Sequence, residues 1–157
     1  MRLGDFVLEE SIVSELRATQ KREVLAEVVE SLIDAGCLDP EAKESVVDAL
    51  MHREEIGSTG IGHGVAIPHA KHPAVRRLLG AYAHSSAGVD FSSLDGQPVK
   101  ALFLILWPAG VIGPHLEAIA QVSRVLKRDN FLERLKEASD KREIVSLFSE
   151  ADKSVQA

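Results

Sequence analysis

The sequence predicts an α/β layered domain, and three observations carry that prediction. Val24, Leu25, Val28, Val29, Leu32 and Ile33 recur at helical spacing in the first quarter of the chain. Val99 to Trp107 is a continuous apolar run with Leu102 to Leu106 consecutive, as expected of a central strand buried on both faces. Strand-like and helix-like segments intermix without an internal repeat or low-complexity linker, so a single domain over residues 1–157 is expected.

In chain order, Met1 to Arg17 fits an edge strand or a short helix, with Ile12, Val13 and Leu16 as its core contacts. The first helix is expected between an N-cap at Thr19 and a stop at Gly36. Asp39-Pro40-Glu41 starts a second, whose apolar face is Val46, Val47, Leu50 and Met51 and which ends near Arg53. Val65-Ala66-Ile67 reads as a short strand ended by Pro68, and Leu78 to Ala83 as another. Val89 to Gln97 is a polar excursion with a turn at Asp95-Gly96, and Ala109 to Gly113 is a loop. Pro114 opens a helix starting at His115, with Leu116, Ile119, Ala120, Val122, Val125 and Leu126 inward. Phe131 to Ala138 behind Asn130 and Ile144 to Phe148 behind Asp140 complete the helices, with a frayed tail after Glu150.

Composition narrows the function. A net charge of -6 and a pI near 5.5 argue against a protein that lives on nucleic acid or an anionic membrane. The lone Cys37 allows neither an internal disulfide nor a CxxC site. The N-terminus has no signal-peptide pattern, and the longest uncharged run, Ala101 to Pro114, is too short to span a bilayer, so a cytoplasmic chain is expected.

Chemistry concentrates in Arg53 to His72, REEIGSTGIGHGVAIPHAKH. Glycines at 57, 60, 62 and 64 permit positive φ angles and close approach of the backbone to a ligand. His69 follows this loop at an expected strand end; by itself it could be a nucleophile, a metal ligand or a structural histidine. Loop N–H groups able to cradle an anion favour the first. His115 sits where the first turn of a helix offers unpaired N–H groups and a positive dipole end, although a capping role is the bland alternative. Arg53 could clamp phosphate oxygens or could pair with Glu54, Glu55 or the helix terminus. Ser58, Thr59 and Gly60 could donate to the same anion, or act as turn residues only. His52, His63, His72 and His84 read as solvent or loop histidines. A metal site at His63, His69 and His72 is disfavoured, because Pro68 and Pro73 prevent a helix and no carboxylate lies between His63 and His72. GxxxxGK[ST] and GxSxG are both missing, which leaves phosphate carried on the protein itself, with no cofactor.

With those residues in view, the chain resembles the second type of enzyme IIA domain of the bacterial phosphotransferase system, the mannitol/fructose and nitrogen-regulatory family. The resemblance runs from about residue 5 to 150 and is most specific in Arg53-Glu54-Glu55, GSTGIGHGVAIPH and the PHLEAIAQVSRVL helix. It implies a mixed sheet flanked by helices on both faces, with His69 accepting a phosphoryl group from the histidine phosphocarrier protein. It also implies that Arg53 and His115 hold and neutralise that group. A IIB domain or a regulatory target would lie downstream. The GSTGIG wording and the length resemble the nitrogen-regulatory branch more than the sugar branch. Two positions depart from the family pattern: His63 stands where asparagine is usual, and Ala70 where glycine is usual. A sugar-specific enzyme IIA is the alternative within phosphotransfer, and a non-catalytic regulatory binding module the alternative outside it.

Overall fold

One strand, β6 (Val99–Pro108), sorts the core into two halves. Leu102, Leu104 and Leu106 enter one apolar cluster while Ala101, Phe103, Ile105 and Trp107 enter the other. This is the period-two display of a strand covered on both faces. The computed structural model describes residues 1–128 and 130–156, with side chains through residue 153. The sheet runs β1 (Val7–Val13), β5 (Leu79–Val89), β6, β3 (Val65–Ala66), β2 (Gly60–Gly62), with β4 (His69–His72) paired to β6 alone. β1 is parallel to β5, and β3 and β4 are parallel to β6, whereas β5–β6 and β2–β3 are antiparallel. The sheet is therefore mixed, as expected.

Helices α1 (Lys21–Asp34) and α2 (Lys43–Ile56) cover the face reached by Leu102 and Leu104, burying Val24, Leu25, Val28, Val29, Leu32, Val46, Val47 and Leu50. Each such side chain, fully buried, stabilises the fold by about 1.5–3 kcal/mol before conformational entropy is counted. Helices α3 (Pro114–Leu126), α4 (Phe131–Glu137) and α5 (Lys141–Gln156) cover the opposite face around Tyr82, Phe103 and Phe148. The α/β/α layering inferred from the sequence is thus present, and β2, read from sequence as loop, adds a three-residue strand.

Several boundaries differ from expectation for identifiable reasons. Thr19 does not cap α1, which begins after Gln20 with no side-chain cap; the Glu27 carboxylate instead accepts from the backbone N–H groups of Arg17 and Ala18 at 3.1 and 2.9 Å. Asp39 does accept from the Glu41 N–H at 2.9 Å, but the turn it caps, Pro40–Ala42, is a 3-10 turn ahead of α2. The N-terminal segment is a 3-10 turn, Leu3–Asp5, followed by edge strand β1. β5 continues past Ala83 to Val89, with His84 and Ser85 buried inside it. The expected frayed tail is helical through Gln156, because Ala151 is buried and Asp152 accepts from the N–H groups of Leu3 and Gly4 at 2.7 and 2.9 Å. Ala157 lies outside the described residues. On α3 the buried stripe is Ala118, Gln121, Val122 and Val125, so Ala120 is exposed and Leu116 is 58% exposed.

Candidate functional site

His69 begins β4, where parallel pairing sets it opposite Ile105. Pro68 does not end the sheet here: its carbonyl accepts from the Ile105 N–H at 2.9 Å and pairing resumes in β4. His69 therefore starts β4 immediately after the Ile67–Pro68 break that follows β3. Its Nδ1 lies 2.8 Å from the Ile67 carbonyl, which can only accept, so the ring proton sits on Nδ1 and the Nε2 lone pair is left free. Burial pushes the imidazole pKa below its ordinary value of 6.5. The positive charge of Arg53 and the neighbouring His115 act in the same direction, against the Ile67 carbonyl and the Glu54 carboxylate.

A cleft of about 750 Å³ opens where edge strand β4 meets the end of α2 and the start of α3, with Arg53, Ile56, His69, Trp107, His115 and Leu116 in its wall. Arg53 reaches it from the last turn of α2, its guanidinium donating to the Gly57 carbonyl at 2.8 Å. His115 lies in the first turn of α3, its ring parallel to that of Trp107 at 3.9 Å and 5°. Arg53, His69 and His115, far apart in sequence, thus meet in one cleft.

Ser58, Thr59 and Gly60 do not line it. The Ser58 hydroxyl donates to the Phe91 carbonyl and accepts from the Gly60 N–H at 3.0 Å. Thr59 is buried, its hydroxyl and N–H both directed at the Glu54 carboxylate. The donors of these three residues, expected to meet phosphate, have internal partners here. Glu54 in turn meets Lys21 Nζ at 3.1 Å rather than Arg53, while Glu55 faces His52 at 3.8 Å. Lys21 also donates to the Phe91 carbonyl at 3.2 Å and lies 4.8 Å from that ring's centroid. A continuous path follows: Lys21 holds Glu54, Glu54 holds Thr59, the Thr59 carbonyl accepts from the Ile67 N–H at 3.0 Å, and the Ile67 carbonyl fixes His69. The sequence marks Glu54 only as a possible partner of Arg53 and does not mark Lys21, because a Lys–Glu pair across 33 positions has no local signature.

The loop glycines serve different needs. Gly62 and Gly64 have φ of 91° and 80°, whereas Gly57 is extended. At Gly60 a Cβ would lie 2.2 Å from Ser93 Oγ, so the requirement there is space. His63 takes φ 58°, a left-handed conformation that asparagine tolerates well and histidine more readily than most residues. It faces a separate hollow with Asp95 and Lys136. His72 binds Ser45 Oγ at 2.9 Å and accepts from the Ala74 N–H at 3.0 Å, so the three histidines weighed as a metal set are engaged separately. Among the described residues no group of three or more His, Cys, Asp or Glu side chains is placed to hold a metal ion. Ala70 is buried against the α1–α2 side without a positive φ, so alanine at this position is unstrained. His84, expected in solvent or a loop, is 2% exposed and bridges Glu15 (3.2 Å) and the Lys136 carbonyl (2.7 Å). Among the described residues no helix is long and apolar enough to cross a membrane.

A mixed sheet of this topology between two helical layers matches the fold of phosphotransferase IIA domains. Residues 5–151 match the model of the phosphoenolpyruvate-dependent sugar phosphotransferase system EIIA 2 family, and the chain belongs to that family. It is 34% identical over 149 residues to a nitrogen regulatory protein of Bradyrhizobium diazoefficiens, covering 95% of each chain. It is 35% identical over 153 residues to the fructose-specific EIIABC component of Bacillus subtilis, spanning 98% of this chain and 24% of that protein. Among solved structures, the nitrogen regulatory protein IIA-Ntr of Neisseria meningitidis superposes with a TM-score of 0.80 at 29% identity, over 93% of this chain and 98% of that one. Domains of this family are phosphoryl-transfer components of the phosphotransferase system.

Proposed function

We propose that this chain carries a phosphoryl group on His69 Nε2, received from the histidine phosphocarrier protein in the cytoplasm, and that it serves nitrogen-type regulation. The observation that carries the reading is the Nδ1–H bond to Ile67, which fixes the ring and leaves Nε2 as an unprotonated nucleophile facing a cleft that Arg53 and His115 share. The phosphorus–nitrogen bond on the donor histidine breaks as the bond to His69 Nε2 forms. The donor nitrogen keeps the electron pair, and Nδ1 of His69 keeps its proton. Charge spreads over three equatorial oxygens in the loose transition state, so fixed cationic and N–H groups accelerate the step. Arg53 supplies the cation. His115 has a buried, unpaired Nδ1, which favours the tautomer with the proton on Nε2, available as a donor to phosphate. Ser58, Thr59 and Gly60 act indirectly by shaping the loop.

Exposed apolar side chains rim the cleft, with Ile56 at 77% and Ile112 at 87% exposure, and suit the docking of a protein donor and a protein acceptor. The 95% mutual coverage with a nitrogen regulatory protein supports the regulatory branch. Similar identity to a fructose-specific EIIABC component supports a second reading, in which the phosphoryl group passes to a IIB domain during sugar uptake. Reconstitution with the phosphocarrier protein tests the common core: His69→Ala takes up no phosphate while remaining folded, and His115→Ala is phosphorylated but transfers more slowly. Phosphate uptake by His69→Ala would overturn the assignment. Retrieval of partners by each phosphorylation state separates the two branches.

A further inference from the structure

A histidine that acts in chemistry is normally oriented by a hydrogen bond on its second nitrogen. His69 has such a bond, to Ile67; His115 does not, since its Nδ1 is buried without a partner. What His115 does have is the indole of Trp107, parallel at 5° and 3.9 Å between centroids. The same indole has its ring centroid 6.0 Å from that of His69, at 26°, so one side chain neighbours both histidines. Trp107 is itself well anchored: it is 8% exposed, its strand pairs with β4 at Lys71, and alternate residues of that strand, Phe103 and Ile105, are fully enclosed in the core.

We infer that Trp107 is a positioning residue for phosphoryl transfer, holding the His115 imidazole flat against the indole and so fixing the direction from which its Nε2 meets a phosphoryl group on His69. This rests on reading His69 as the acceptor. The role is geometric: no bond is made or broken on the ring. Sliding or rotating His115 moves a single donor hydrogen relative to oxygens that must be met within hydrogen-bond distance. Misplacement of that order slows transfer without weakening encounter with the donor.

The test uses the full chain in a reconstituted relay, with Trp107→Val, Trp107→Phe and His115→Ala. Trp107→Val is expected to lower the single-turnover transfer rate roughly 10- to 100-fold, with the half-saturating concentration of phosphocarrier protein changed by less than about threefold. Trp107→Phe, which keeps an aromatic face, is expected to recover the rate to within about fivefold of the parent. Adding His115→Ala to Trp107→Val is expected to cause little further loss, since both remove the same oriented donor. In the unphosphorylated parent, the carbon-bound protons of the His115 ring are expected upfield from the indole ring current. A folded Trp107→Val chain transferring at the parent rate, or losses that add in the double variant, overturns the inference. Should Trp107→Val fail to fold, His115 ring protons without an upfield shift in the parent overturn it instead. A parent chain that takes no phosphate refutes the underlying reading, whereas a phosphorylated parent with insensitive Trp107 variants refutes only this one.

Discussion

Removing the Glu54 carboxylate is a direct test of how the loop ahead of His69 is held. The side chain is 3% exposed, and its oxygens meet Lys21 Nζ at 3.1 Å, the Thr59 N–H at 3.2 Å and the Thr59 hydroxyl. Glu54→Ala leaves a mostly buried ammonium with only the Phe91 carbonyl and ring, and two buried Thr59 donors unpaired. Breaking a buried ion pair on one side costs about 3–5 kcal/mol. Because the Lys21 side chain is 20% exposed and water reaches part of it, the lower end, about 3 kcal/mol, is expected. For a chain of this length that loss lowers Tm by roughly 6–12 °C. Urea and thermal unfolding of Glu54→Ala, Lys21→Met and the double variant supply the assay, with the double variant expected to lose less than the sum of the single losses because Lys21→Met removes the stranded charge. The Glu54 variant should also transfer phosphate more slowly, since Thr59 would no longer hold Ile67 and through it the His69 ring. A Glu54→Ala chain within about 1 kcal/mol of the parent, below the smallest cost reasoned from burial, would refute the chain of contacts as the loop's support.

Further expectations are smaller in scope. The His69 pKa is held below 6.5, so phosphoryl acceptance should be flat with pH above 6.5 and fall only as pH drops through the depressed value; a pH–rate midpoint above 6.5 would contradict this. The same shift has a stability consequence: a depressed histidine pKa means the folded state resists protonation, so its contribution is present above 6.5 and is lost as pH falls through the folded value. Gly60→Ala brings a Cβ to 2.2 Å from Ser93 Oγ and should destabilise by about 1–3 kcal/mol in urea unfolding, with partial recovery in Ser93→Gly. Arg53→Lys retains the charge but loses the planar fork, and single-turnover kinetics should show roughly a tenfold slower transfer at similar binding.

How much was legible in the sequence depends on whether the determining contact was local. The central strand and the first two helices could be read because the periodicity of Leu102 to Leu106 and of Val24 to Leu32 reports burial directly. His69, His115 and Arg53 could be singled out because glycine, proline and helix-terminus context marks unusual backbone, and the fold does bring them into one cleft. The internal engagement of Ser58 and Thr59 and the missing cap at Thr19 both depend on contacts the local sequence does not display. A hydroxyl in a glycine loop looks available until a remote partner is known, and Phe91 and Glu54 are such partners; at the start of α1 the Glu27 carboxylate takes the backbone N–H groups of Arg17 and Ala18 and the helix begins after Gln20. The helical tail beyond Glu150 depends on Asp152 meeting Leu3, a contact between opposite chain ends. His84 looked like a loop residue because its strand runs six residues past the point where the apolar pattern fades at Ala83.

The proposed chemistry puts the phosphoryl group on one particular nitrogen. Incubation with the phosphorylated phosphocarrier protein, followed by 31P and 15N-edited NMR of the intact chain, reports both the residue and the ring atom modified. A single acid-labile phosphate on Nε2 of His69 is expected, with Nδ1 still protonated and bonded to the Ile67 carbonyl. Phosphate on Nδ1 of His69, on His115, or on neither histidine would contradict it.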